Sequence, residues 1–289
     1  MVKTRKWLLL GIYVVAVAVL FTYYLFPSET VKGYIAYQLK VTDPNLVVEI
    51  DSVKPSFPPG LRLNAMYVAR KGSGLVEITK LIVRPAYLSL LGPEKRFRFK
   101  GKLYGGTVEG TIRLDQAQTA GSIQVDARIA GVKIEQVRVI EEMSGRKIFG
   151  TLNGDLEVNR KGRASLDATA NVELTDGKLE LLMPVFTYKS LTFKSIQADL
   201  ALTHQNLEIK RCDIKGQPAD GTITGTIALR APLGKSILAL EGTVRPHEAF
   251  LTLLRKSLPA SLVPPTGADG DGIGISLSGT LDSPGFAFQ

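Results

Sequence analysis

Residues 96–114 read RFRFKGKLYGGTVEGTIRL, and the fold class turns on how this stretch is read. Phe97, Phe99 and Leu103 alternate with Arg96, Arg98, Lys100 and Lys102. A period of two puts the apolar side chains on one face of an extended strand and the cations on the other. Val108 and Ile112 extend the apolar set into GTVEGTIRL. The same alternation recurs upstream in LRLNAMYVAR, where Leu61, Leu63, Ala65, Tyr67 and Ala69 share a face. It recurs downstream in ASLDATANVEL, where Leu166, Ala168, Ala170, Val172 and Leu174 oppose Asp167, Thr169, Asn171 and Glu173. Thr175-Asp176-Gly177 then reads as a turn into the next strand.

The segment GTVEGTIRL has echoes in GTLNGDLEV at Gly150–Val158 and GTITGTIAL at Gly221–Leu229, with a looser one in GISLSGTL near the C-terminus. Their spacing is uneven, which predicts a recurring hairpin module with variable insertions rather than a strict solenoid. Glycine inside a strand permits a bend or a close backbone approach, so glycines placed this way let a long antiparallel sheet curve. Four segments break the β pattern: Glu29–Leu39 behind Ser28, Pro85–Leu91, Lys133–Met143 and Glu248–Leu258 are read as short helices capping the sheet. Pro259–Gly274 reads as an exposed linker before a last strand.

Ahead of all this, residues 7–26 form an uncharged run, WLLLGIYVVAVAVLFTYYLF, preceded by Lys3, Arg5 and Lys6. As a helix, about 20 residues match the ~30 Å hydrocarbon core of a bilayer. The positive-inside rule then predicts a cytoplasmic basic tail at 1–6, a single transmembrane anchor at 7–26 and an exported β-rich domain at 27–289. The expected fold is mainly β: one N-terminal transmembrane helix, then a curved antiparallel sheet with a few short capping helices.

Charge and chemistry narrow the function. The chain has 289 residues with 36 basic and 27 acidic side chains, a net charge of +9 without the dense clustering of a nucleic-acid domain. One cysteine, Cys212, forms no internal disulfide, and two histidines, His204 and His247, build no zinc site. Gly234-Lys235-Ser236 lacks the first glycine of a phosphate loop, since residue 229 is Leu, and Pro232 interrupts it. Asp269, Asp271 and Gly272 lack the later ligands of a calcium loop, with Ile273 and Thr280 in their places. The expectation is a protein with no catalytic residues, metal or cofactor.

The basic start, the single anchor with its Phe26-Pro27 exit, and Pro58-Pro59-Gly60-Leu61 ahead of a strand carry a resemblance. In this the chain resembles type II secretion system protein N of the long, delta-proteobacterial type. Lys102-Leu103-Tyr104-Gly105-Gly106-Thr107, VELTDGKLEL at Val172–Leu181 and the closing Leu277–Pro284 are similar to AsmA-like proteins. The first resemblance implies a non-enzymatic inner-membrane protein with a periplasmic β domain, acting in assembly or scaffolding of a secretion machine and contacting its other subunits. The second implies a groove-like sheet whose apolar interior shields phospholipid tails. Phe97, Phe99, Leu103, Val108, Ile112, Ile223 and Ile227 are the candidate groove lining. Arg96, Arg98, Lys100 and Lys102 are the candidate contact to an anionic membrane surface, or else a solvated row that discourages edge pairing. An open apolar groove favours lipid handling, whereas burial of the same residues in a closed sandwich or barrel removes its basis.

Overall fold

In the computed structural model the described residues are 23–42, 45–70, 73–115, 121–138, 140–141, 145–161, 165–185, 188–248 and 272–288, with isolated positions at 7, 10, 11, 13, 14, 17, 20, 21, 250 and 252. Period-two patterning produces fourteen strands: β1 Leu46–Ser56, β2 Gly60–Arg70, β3 Ser73–Pro85, β4 Glu94–Leu103, β5 Gly106–Asp115, β6 Ser122–Lys133 and β7 Ile148–Lys161, then β8 Ser165–Val185, β9 Tyr188–Thr203, β10 Asn206–Gly216, β11 Ala219–Ala228, β12 Ile237–Pro246, β13 Ile273–Thr280 and β14 Pro284–Phe288. They form one sheet in strict sequence order, each strand antiparallel to the one before it. β1 and β14 each pair on one side only, so the sheet is not closed. Thirteen intervals of ~4.8 Å give a width of about 62 Å.

No second sheet lies over this one among the described residues, and the surface area reflects it. The chain exposes 19371 Å2, against about 12,000 Å2 for a compact protein of its mass. Buried apolar side chains concentrate at the β1 end, where Ile50, Val53, Leu63 and Met66 form a cluster. Phe26, Val31 and Ile35 cover that cluster. The last two belong to helix α1, Ser28–Thr42, which begins just after Pro27 and extends the expected 29–39 at both ends. Glu29 in its first turn and Lys40 in its last suit the helix dipole. Lys32 donates to the Asp51 carbonyl at 3.2 Å, fastening α1 to β1. Gly33 sits mid-helix, and a methyl group added there would meet nothing within 4 Å. Gly33→Ala is therefore expected to raise stability by about 0.5–1 kcal/mol, read as a higher midpoint in urea.

The expected transmembrane helix at 7–26 requires correction. Among the described residues no helix is long and apolar enough to cross a membrane. The continuous helix that is described, α1, has 15 residues, about 22 Å of rise against the ~30 Å needed. It also carries Glu29, Lys32 and Lys40. Within 7–26, positions 8, 9, 12, 15, 16, 18, 19 and 22 lie outside the described residues, and those described before residue 25 are helical.

Other expectations divide by segment. Pro85–Leu91 contains a 3-10 helix at Tyr87–Leu91, and Lys133–Met143 contains one at Ile134–Gln136 followed by helical positions at 138, 140 and 141. Of Glu248–Leu258, residues 248, 250 and 252 are helical and the remainder lies outside the described residues, as do 259–271 of the expected linker. Thr175-Asp176-Gly177 does not turn the chain: β8 runs straight through it. Asp176 adopts φ 53°, and against β7 Asp176 and Gly177 together stand opposite Gly150 alone, a bulge that a short polar side chain tolerates.

Candidate functional site

Cross-strand register decides which side chains share a face, because directly paired residues point the same way. Following the pairs from Phe97 gives Ile112, Val125, Val158, Ala168, Leu202, Leu207, Ile227 and Leu238, one apolar row over nine strands. From Phe99 a second row passes through Ala127, Leu156, Leu200, Ile209 and Leu240 to Leu277 and Phe286. A third, from Val108, includes Ile129, Val172, Cys212, Ile223 and Ile275. The seven candidate lining residues thus lie on one face. They do not form one pocket, since Phe97 and Ile227 are seven strand intervals, about 34 Å, apart. All seven are half-buried.

The recurring glycines lie on this same face. Gly106 and Gly110, Gly150 and Gly154, and Gly221 and Gly225 occupy the apolar side of β5, β7 and β11, each two residues along its strand from Val108, Leu152 or Ile223. Two of them show what the missing side chain allows. A Cβ at Gly154 would stand 2.5 Å from the Asn171 carbonyl oxygen and 3.0 Å from Val172 Cγ1. At Gly110 it would run into the Asp126 backbone carbonyl and also meet the Phe99 ring at 2.8 Å, which packs over the glycine. At these two positions Val172 and Phe99 pack against the glycine backbone, while the face as a whole carries no covering layer among the described residues.

Cys212 sits within the third row, paired with Ala198 on β9 and Ile223 on β11. Partial burial, and then the neighbouring Asp213 carboxylate, push its thiol above the ordinary range. The thiol therefore stays protonated at neutral pH, and its thiolate forms at higher pH than that of a free cysteine.

The reverse face is polar. Its middle, over β5–β10, forms a shallow trough of about 710 Å3, in and around which charges are matched. Lys100 pairs with Glu109 at 3.0 Å, Arg113 with Asp126 at 3.1 Å and Arg128 with Asp155 at 2.8 Å. Arg96 pairs with Glu94 at 2.9 Å, and that hydrogen-bonded guanidinium holds the Glu94 carboxyl below the usual carboxylate range. Two of the four candidate surface cations, Arg96 and Lys100, are thereby neutralised. Arg98 and Lys102 keep their charge and gain company that the sequence does not reveal: β3 sets Arg84 opposite Arg98 and Lys80 opposite Lys102. The period of two in β3 is the signal in the sequence, but pairing it to β4 requires the register.

Among the described residues no group of three His, Cys, Asp or Glu is placed to hold a metal ion. Comparison with protein-family models, with curated proteins and with solved structures finds no match.

Proposed function

We propose that the chain is a non-enzymatic module that shelters the acyl chains of phospholipid against the apolar face of its sheet. One observation carries the reading: apolar rows continue across the sheet from β4 to β14 on a sheet that neither closes nor carries a second layer among the described residues. Soluble monomers seldom leave an apolar face of this extent uncovered, and a groove of side chains without polar anchors suits hydrocarbon better than a polar substrate.

Cys212 supplies a native reporter for the test. N-ethylmaleimide reacts with the thiolate, so modification of the full chain is expected to be slow at pH 7 and to accelerate at higher pH than for free cysteine. Adding phospholipid in mild detergent is expected to slow it several-fold further, as acyl chains cover the third row. An unchanged rate at saturating lipid overturns the proposal.

A second reading, a scaffold within a type II secretion machine, draws support from the free edges of β1 and β14. Each presents unpaired backbone groups to which a partner subunit can add a strand. Crosslinking from β14 to a secretion subunit, with Cys212 indifferent to lipid, would favour it over the first. Either reading expects the β domain in a bacterial cell envelope.

A further inference from the structure

The β3–β4 connection is a built structure. Tyr87–Leu91 forms a 3-10 helix, in which residues three apart lie directly above one another. Leu88 and Leu91 therefore share a side, and they are 88% and 90% exposed. Hydrogen bonds hold the segment in this posture. The Tyr87 hydroxyl donates to the Pro59 carbonyl at 2.7 Å, joining the connection to the β1–β2 turn, where Phe57 is 82% exposed. The Arg96 amide donates to Ser89 Oγ at 2.9 Å, and Lys95 Nζ donates to the Leu90 and Gly92 carbonyls at 2.8 and 2.9 Å. The leucines are thus fixed in an outward position by a braced loop.

Behind this apolar tip the polar face accumulates unbalanced positive charge. Arg84 faces Arg98, and Lys80 faces Lys102. Directly opposed like charges weaken a ladder, and none of these four cations has a hydrogen-bond or ion-pair partner among the described residues. The Nε atoms of Arg62 and Arg84 are buried without an acceptor. Between the tip and these cations lies a cavity of about 580 Å3 lined by Ile82, Arg84, Tyr87, Leu88, Arg98 and Lys100. Elsewhere on the same face, cations opposite carboxylates pair with them. Here, among the described residues, no carboxylate stands opposite the four cations.

We infer that this corner docks the protein on an anionic phospholipid bilayer, with Phe57, Leu88 and Leu91 entering the interface and Arg84 and Arg98 receiving headgroup phosphates. Exposed leucines and aromatics held beside a cationic patch match the two layers of a membrane surface, apolar below and anionic above. The inference goes beyond the acyl-chain reading and does not depend on it, because the cations lie on the reverse of the apolar face.

The test places an environment-sensitive nitrobenzoxadiazole label at Leu91→Cys in a full-length Cys212→Ser background. Vesicles of phosphatidylglycerol mixed into phosphatidylcholine are expected to raise the emission several-fold and shift it to the blue. Pure phosphatidylcholine vesicles give little change, and added salt weakens the response. The same label at exposed Gln136→Cys, on the opposite rim of the sheet, stays silent. Arg84→Gln with Arg98→Gln is expected to lose the response while unfolding at the same or higher urea, since it relieves opposed charges. Arg84→Lys with Arg98→Lys retains it. An equal response to neutral vesicles, an equal response at Gln136, or full retention in the Gln pair overturns the inference.

Discussion

A chain carrying Ile112→Asp and Ile223→Asp is expected to purify folded but without the phospholipid that accompanies the wild type, read by native mass spectrometry and lipid extraction of the same sample. Both positions are half-buried on the apolar face, in different rows. With the face open to solvent, each carboxylate reaches water, and the folded state loses only the packing of one aliphatic side chain, about 1–2 kcal/mol. Beneath an acyl chain the same carboxylate is desolvated without a partner, a cost of several kcal/mol that lipid binding does not recover. Wild-type protein that purifies lipid-free, or a double variant that keeps its lipid, sinks the acyl-chain proposal. A double variant that fails to fold also counts against the proposal, because on an open face each carboxylate reaches water.

Gly154→Val is expected to destabilise the sheet by about 3 kcal/mol, measured from the urea midpoint. The new Cβ would lie 2.5 Å from a backbone carbonyl of the adjoining strand, an atom that cannot swing aside. Its branched methyls would also meet Val172, whose Cγ1 is 3.0 Å from the Cβ position. At Gly33, where the space is empty, an added methyl acts in the opposite direction. If Gly154→Val unfolds with the wild type, close approach is not what the recurring glycines serve.

The strand content is legible because alternation in stretches such as 96–103 and 165–174 is a property of the local sequence. Membership of the apolar face is legible for the same reason. What stays hidden in the sequence is everything that depends on pairing. Arg96 and Arg98 look equivalent in the chain, yet Arg96 meets Glu94 while Arg98 meets Arg84. The Asp176 bulge reads as a turn because aspartate before glycine favours both, and only the partner strands on either side distinguish them. The run at 7–26 reads from composition as a spanning helix, whereas the helix that grips the sheet is the more polar α1 that follows it. The tip at Leu88 and Leu91 carries no signal in the sequence, since two leucines in a short connection become informative only when the hydrogen bonds that hold them outward are known.

Strict sequence order in the sheet has a consequence for how the molecule assembles and varies. Every ladder joins segments adjacent along the chain, so closing each hairpin requires only the loop between two neighbouring strands, and structure can spread from strand to strand as in a zipper. The α1 end, with the buried cluster, is the natural starting point, and the five-residue β14 is the end that frays first. An array of this kind also changes length without redesign. Duplicating one hairpin lengthens the array by two strands, about 10 Å, and leaves every other ladder as it was, so the extent of the apolar face scales with the number of hairpins.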